Sequence, residues 1–162
     1  RAAPPPTTYA GWDPTPVITR IWVQTLQAAG LNEDHSVQSL VEDWLEAYVV
    51  GCTLFEDVRP TVAALAAERK LAIITNGTTR TQRPKIVAGG FDRIVAHFSI
   101  AQEFGHGKPH PEIFFSTLKS LGVPPESAVH VGDSLYADIG GAKAAGMKAI
   151  WINRTGAAPF EL

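Results

Sequence analysis

The sequence predicts an α/β protein, a parallel sheet flanked by helices, preceded by a smaller all-helical part. Three observations carry this. From about Phe55 onward, short apolar runs alternate with helical stretches, the pattern of parallel strands joined by helical crossovers. Between Val17 and Tyr48 two helical periodicities follow one another with no strand between them. The stretch Ala128 to Ile152 is a complete strand–turn–helix–strand unit. It runs through apolar Ala128 to Val131, a Gly132-Asp133 turn, an Ala-rich helix from Tyr136 to Ala145 stopped by Gly146, and apolar Met147 to Ile152.

The elements follow in order. Residues 1–16 are proline-rich and irregular, and Arg1-Ala-Ala-Pro-Pro-Pro reads as a linker or loop. Val17, Ile18, Ile21, Trp22, Thr25 and Leu26 recur at helical spacing until Gly30, and a turn is expected at Leu31 to Glu33. Val37, Leu40, Val41, Trp44, Leu45 and Tyr48 then line one face of a second helix. Two adjacent amphipathic helices predict a helical hairpin, with Trp22, Trp44 and Tyr48 as packing groups. Pro60 suits a first helical position ahead of a short helix, Thr61 to Arg69. Leu71 to Thr75 is a strand ending in the turn signal Asn76-Gly77. Thr79 to Ala88 is a helix closed by Gly89-Gly90, with Pro84 limiting its start or bending it. A short strand is expected near His97 to Ser99. Gly105-His-Gly-Lys-Pro-His-Pro is a loop, and Pro111 to Leu121 a helix.

Composition narrows the function. The chain has 162 residues, enough for one domain or one domain with a small insertion. Hydrophobic residues make up 45% and charged residues 19%, values that build an ordinary core. The net charge of −2, with no basic block or stripe, excludes nucleic acid as a principal partner. No apolar run approaches membrane-spanning length and no signal-peptide pattern opens the chain, so no membrane partner is expected. The one cysteine, Cys52, cannot form an internal disulfide, which fits a cytoplasmic location. With no His or cation beside it in sequence, Cys52 reads as a small buried apolar residue. The only methionine is Met147, so the sequence is expected to be a piece of a longer protein.

Polar residues gather at the predicted strand ends: Thr75-Asn76-Gly77, Lys108, and Asp133 with Asp138. In open α/β sheets ligands collect at the carboxyl ends of strands. A hydroxyl, backbone N–H groups at a glycine turn and a lysine make a phosphate cradle. Two carboxylates suit a hard cation such as Mg²⁺, which itself favours phosphate oxygens. Each feature also has a plainer reading. Thr75-Asn76-Gly77 is a common turn, a lone loop lysine is usually solvated, and Asp133 or Ser134 can simply cap the helix that follows. Capping accounts for one acid and leaves the second unexplained. His106 and His110 flank Lys108, but a metal pair there lacks further nearby ligands, so surface or substrate-facing roles are expected.

Taken together, these motifs resemble the haloacid dehalogenase superfamily, in particular its phosphatase-like members with a helical cap inserted near the N-terminus. Ile73-Ile-Thr-Asn-Gly77 is similar to the family's second motif. Glu103-Phe-Gly-His-Gly-Lys-Pro-His-Pro-Glu-Ile-Phe114 is similar to the third, with Lys108 at its lysine. Val131-Gly-Asp-Ser-Leu-Tyr-Ala-Asp-Ile-Gly-Gly-Ala-Lys-Ala-Ala-Gly146 is similar to the fourth, with Asp133 and Asp138 at its acids. The matches run from Phe55 to about Thr155. The resemblance implies a Rossmann-like core at 55–162, lacking its first strand, and a partial helical cap with its linker at 1–54. It implies a Mg²⁺-dependent phosphomonoester hydrolase acting on a small phosphorylated metabolite through an aspartyl-phosphate. Thr75, Asn76 and Gly77 would then bind the phosphoryl oxygens. Lys108 would neutralise charge on nucleophile and phosphoryl group, while Asp133, with Asp138 in support, would hold the metal.

The family's first motif, Asp-x-Asp after an apolar strand, has no match here. Asp13 lies in Gly-Trp-Asp-Pro-Thr-Pro, after no apolar strand and with no second Asp, and is rejected as the nucleophile. The chain as written is expected to be inactive and its longer parent active. Two other readings stand beside the phosphatase. One is a haloacid dehalogenase, in which the aspartate attacks carbon and the acidic pair has no metal to hold. The other is a non-catalytic domain binding a phosphorylated ligand or a protein. A monomer or a homodimer is expected, the apolar hairpin face being a possible dimer surface.

Overall fold

The computed structural model describes residues 13–31 and 36–156. The proline-rich opening through residue 12 lies outside them, and of the turn predicted at Leu31 to Glu33 only Leu31 lies within. Helix α1 (Thr15–Ala28) starts earlier than its apolar periodicity, because Pro14 and Pro16 occupy the N-terminal positions where a missing N–H costs nothing. Asp13 accepts the Thr15 N–H at 2.9 Å. Helix α2 (Ser36–Val50) buries Val37, Val41 and Leu45, spaced one helical turn apart, against Ile18, Trp22, Val23 and Leu26 of α1.

The rest of the predicted α2 face has a different use. Trp44 and Tyr48 stack on each other with ring centroids 5.3 Å apart. The Tyr48 ring lies 3.4 Å from the Lys85 ammonium of helix α4 (Thr79–Ala88). This contact holds the helical pair to the α/β part. Cys52, just after α2, is exposed. The expectation of a buried cysteine fails because residues 51–53 leave the helix before reaching either apolar cluster.

Helix α3 (Val58–Ala66) begins before Pro60, which stands in its first turn. Strand β1 (Ala72–Thr75) pairs in parallel with β2 (His97–Ile100), Ala72 opposite His97 and Thr75 opposite Ile100. Strand β3 (Val129–Gly132) pairs in parallel with β4 (Lys148–Trp151), Val129 opposite Lys148 and Gly132 opposite Trp151. Among the described residues no ladder bonds join the two pairs. A short helix the sequence reading did not anticipate, α5 (Ala101–Phe104), follows β2 directly, and α6 (Pro111–Leu121) matches its predicted bounds.

Side-chain packing joins what the ladders do not. Ile113 and Phe114 of α6 are fully buried with Ala101, Ala142 and Ala145, and Ile74 of β1 and Ala149 of β4 pack against this cluster. A Cβ on Gly141 would stand 2.7 Å from the Phe114 ring and 2.9 Å from the Pro109 backbone, so only glycine lets helix α7 (Gly141–Ala144) approach so closely. Phe114→Ala is expected to lower the unfolding free energy by about 3–5 kcal/mol in urea titration, the cost of an unfilled aromatic cavity. The opposite face of β3 and β4 is less covered: Val129, Val131 and Ile150 each remain about half exposed. The side chains alternate as a strand requires, and only the face bearing His130 and Ala149 meets the core.

The Ala-rich segment departs from a regular helix. Leu135–Gly140 forms a wide, π-type turn before α7 begins, and the Ser134 carbonyl accepts both the Asp138 and the Ile139 N–H. The widened turn lies at the carboxyl end of β3, beside the predicted acids.

Candidate active site

The first half of the site is the end of β1. Thr75 is the last strand residue, and Gly77 adopts φ +144°, a conformation other residues rarely take. Thr78 caps α4, its hydroxyl accepting the Thr81 N–H at 3.3 Å. Asn76 reaches across to the Lys108 loop. Its Nδ2 donates to the Lys108 carbonyl at 2.8 Å, and its Oδ1 accepts the Lys108 N–H at 2.7 Å. An asparagine amide satisfying both groups of one peptide residue works as a two-pronged clamp. It fixes Lys108 to the β1 end.

The second half is the end of β3. Asp138 is only 3% exposed. Its Oδ1 accepts from Lys108 Nζ at 2.6 Å and from His130 Nε2 at 2.9 Å, and its Oδ2 accepts the Ser134 N–H at 3.0 Å. Burial pushes this carboxyl up, but the His130 hydrogen bond, the Lys108 charge and bond, and the Ser134 N–H outweigh it. The group is held well below the usual carboxylate range and is ionised at neutral pH. Asp133 is exposed at the strand end, and its carbonyl accepts Trp151 Nε1 at 2.9 Å. Ser134 is the residue that caps the following turn, its hydroxyl accepting the Ala137 N–H at 3.0 Å. The capping reading therefore falls to Ser134, and neither acid is needed for it.

Hydrogen bonds thus link Asn76, Lys108 and Asp138 in series across segments far apart in sequence. Thr75 and Gly77 flank Asn76, and Asp133 adjoins the Ser134 amide that Asp138 holds. His106 and His110 stack ring on ring, with centroids 4.5 Å apart, and His110 Nδ1 faces the Glu112 N–H at the start of α6. Among the described residues no three His, Cys, Asp or Glu side chains converge on one point.

Sequence reading missed two contributors. His130 sits on the inward face of β3, its ring edge-on to Phe114 at 5.1 Å and its Nε2 on Asp138. A polar residue alternating inward within an apolar strand was the available signal. Gln82 accepts the Thr75 hydroxyl at 2.8 Å. Its place one helical turn after the Thr78 cap turns it back toward the β1 end, a signal visible only once the start of α4 is fixed.

The ends of β1 and β3 thus carry a hydroxyl-glycine turn, a lysine–carboxylate pair largely shielded from solvent, and an exposed acid. The model of the haloacid dehalogenase-like hydrolases matches residues 12–146, and the chain belongs to this family. It is 37% identical over 155 residues to the N-acylneuraminate-9-phosphatase of Rattus norvegicus, covering 90% of this chain and 60% of the relative. It is 41% identical over 103 residues to the phosphoserine phosphatase of Thermus thermophilus, covering 59% of this chain and 40% of the relative. Among solved structures, a 2-haloacid dehalogenase from Pseudomonas syringae superposes with a TM-score of 0.65 at 34% identity, over 89% of this chain and 61% of that one. The chain therefore spans 60% or less of these curated relatives' length.

Proposed function

We propose that this chain supplies most of a Mg²⁺-dependent phosphomonoester hydrolase acting on a small phosphorylated metabolite. The observation that carries this reading is the bonded series Asn76–Lys108–Asp138, in which Asn76 clamps the Lys108 main chain to the β1 turn while the Lys108 ammonium reaches Asp138 beyond the end of β3. Phosphoryl transfer is chiefly a matter of position and charge, and these are what the series provides. Likeness to phosphatases in two curated relatives supports the same reaction class.

In this reading Thr75, Asn76 and Gly77 bind phosphoryl oxygens, and Lys108 offsets the negative charge brought by the substrate. The acids fit Mg²⁺ by chemistry. Asp133 offers an exposed oxygen donor, whereas both Asp138 oxygens already accept hydrogen bonds, so Asp138 supports the ion through water or through the Ser134 loop. A site with one or two carboxylates, completed by water and substrate phosphate, is what Mg²⁺ accepts. The ion, once bound, would screen phosphoryl charge. The nucleophile is assigned to an aspartate outside these 162 residues. Its carboxylate oxygen bonds to phosphorus as the ester P–O bond breaks, the leaving alkoxide takes a proton, and water then hydrolyses the acyl phosphate. In this reading residues 1–54 comprise a linker and a partial cap and 55–162 a core lacking its first strand, and the protein works in the cytoplasm as a monomer or homodimer.

The test is hydrolysis of p-nitrophenyl phosphate with and without Mg²⁺ by this chain and by an N-terminally extended version. Activity is expected only in the extended protein with Mg²⁺, and Asp133→Ala abolishes it. Activity of the short chain would return the nucleophile to residues 1–162. Halide release from a 2-haloacid, with no phosphate ester hydrolysed, would replace the reading with the dehalogenase one.

A further inference from the structure

In the phosphoryl reading Thr75 donates to a phosphoryl oxygen, yet in the structure its single proton is already engaged. Its Oγ1 lies 2.8 Å from Gln82 Oε1, an atom that only accepts, so Thr75 is the donor. On its other side Gln82 Nε2 donates to Thr81 Oγ1 at 3.3 Å, and Thr81 Oγ1 donates to the Thr78 carbonyl at 3.2 Å. The Gln82 side chain is packed directly on the turn. A Cβ at Gly77 would meet Gln82 Nε2 at 2.8 Å and its Cγ at 3.1 Å. A half-turn of the amide about its last torsion exchanges oxygen and nitrogen while leaving its shape unchanged. In the exchanged state Nε2 donates to Thr75 Oγ1, and Oε1 accepts the rotated Thr81 hydroxyl. The Thr75 proton is then free to point at a phosphoryl oxygen, strengthened by the donor behind it.

We infer that Gln82 is a positioning residue whose amide orientation sets the direction of the Thr75 hydroxyl proton, so that phosphoryl binding and the amide turn are coupled. The inference rests on the phosphoryl reading of the Thr75 turn. It adds a residue that touches no substrate and acts through one that does.

The experiment is titration of inorganic phosphate in Mg²⁺ buffer, by calorimetry, on the 162-residue chain and three variants: Gln82→Met, Thr75→Val and the double variant. With Thr75 present, Gln82→Met is expected to shift phosphate affinity about three- to tenfold, the range of one neutral hydrogen bond. In the Thr75→Val background the same change should have less than about a twofold effect, because the residue it acts through is gone. Gln82→Glu gives a second cycle should the methionine variant fail to fold. Its carboxylate only accepts at neutral pH and also repels phosphate directly, so in the Thr75→Val background its effect should shrink to that repulsion alone. An equal shift in both backgrounds, or none in either, overturns the inference while leaving the phosphate site standing. Failure of the unsubstituted, folded chain to bind phosphate overturns the phosphoryl reading, and the inference with it.

Discussion

Asp138→Asn is expected to lower the unfolding free energy by about 3–5 kcal/mol at neutral pH, the cost of removing one partner from a buried ion pair. The carboxylate accepts from Lys108 Nζ, His130 Nε2 and the Ser134 N–H together. An asparagine presents one oxygen and one NH₂ to these three donors. At least one donor then faces another donor, and the Lys108 ammonium is left without its counter-charge. Urea denaturation of the two proteins measures this. The pH dependence follows from the direction of the Asp138 shift. Its folded-state value lies below the ordinary 3.8, so the carboxylate contributes fully above that value and the contribution is lost as the pH falls through the lower folded value. The unsubstituted protein should lose stability steeply below about pH 4, and Asp138→Asn should show a flatter slope there.

Lys108→Met should leave the fold standing more nearly than Asp138→Asn while removing the reaction. In the extended, active protein the expected loss of kcat is about a hundred- to a thousandfold, comparable to removing one preorganised charge-stabilising donor. The argument is geometric. The Asn76 clamp grips the Lys108 main chain and not its side chain, so the substitution removes the ammonium without releasing the loop. Lys108→Arg is not expected to restore the rate, because a planar guanidinium replaces a compact ammonium that sits 2.6 Å from a buried carboxylate oxygen. Steady-state kinetics on an aryl phosphate separates the two outcomes. A fall in kcat with a loss of unfolding free energy smaller than that of Asp138→Asn is the expected result for Lys108→Met, because His130 and the Ser134 N–H still hold the buried carboxylate.

Much of this was legible in the sequence, and the exceptions have physical causes. Strong punctuation fixed the helix Pro111–Leu121, where His110 and Pro111 open the helix and Gly122 ends it in the left-handed conformation. The strand ends at Thr75 and Gly132 were readable because turn signals followed short apolar runs. The predicted helix from Tyr136 to Ala145 was less regular than its alanines suggested. Propensity sees alanine, but the Ser134 carbonyl takes two successive N–H groups and widens the first turn. The exposed Val129, Val131 and Ile150 carry the composition of a strand covered on both faces. Gln82 and His130 were not visible because each acts through a tertiary contact, on Thr75 and on Asp138. The local pattern marks each as a polar residue in need of a partner, but the partner itself is set by the fold.

The most direct test of the central claim is a ³¹P NMR titration of inorganic phosphate with this chain, with and without Mg²⁺, repeated on Asp133→Asn. It requires no nucleophile, only the cradle and the acidic pair. The account predicts that Mg²⁺ strengthens phosphate binding and that Asp133→Asn removes this enhancement without unfolding the protein. Phosphate binding indifferent to both Mg²⁺ and Asp133, or no phosphate binding by the folded chain, would contradict it.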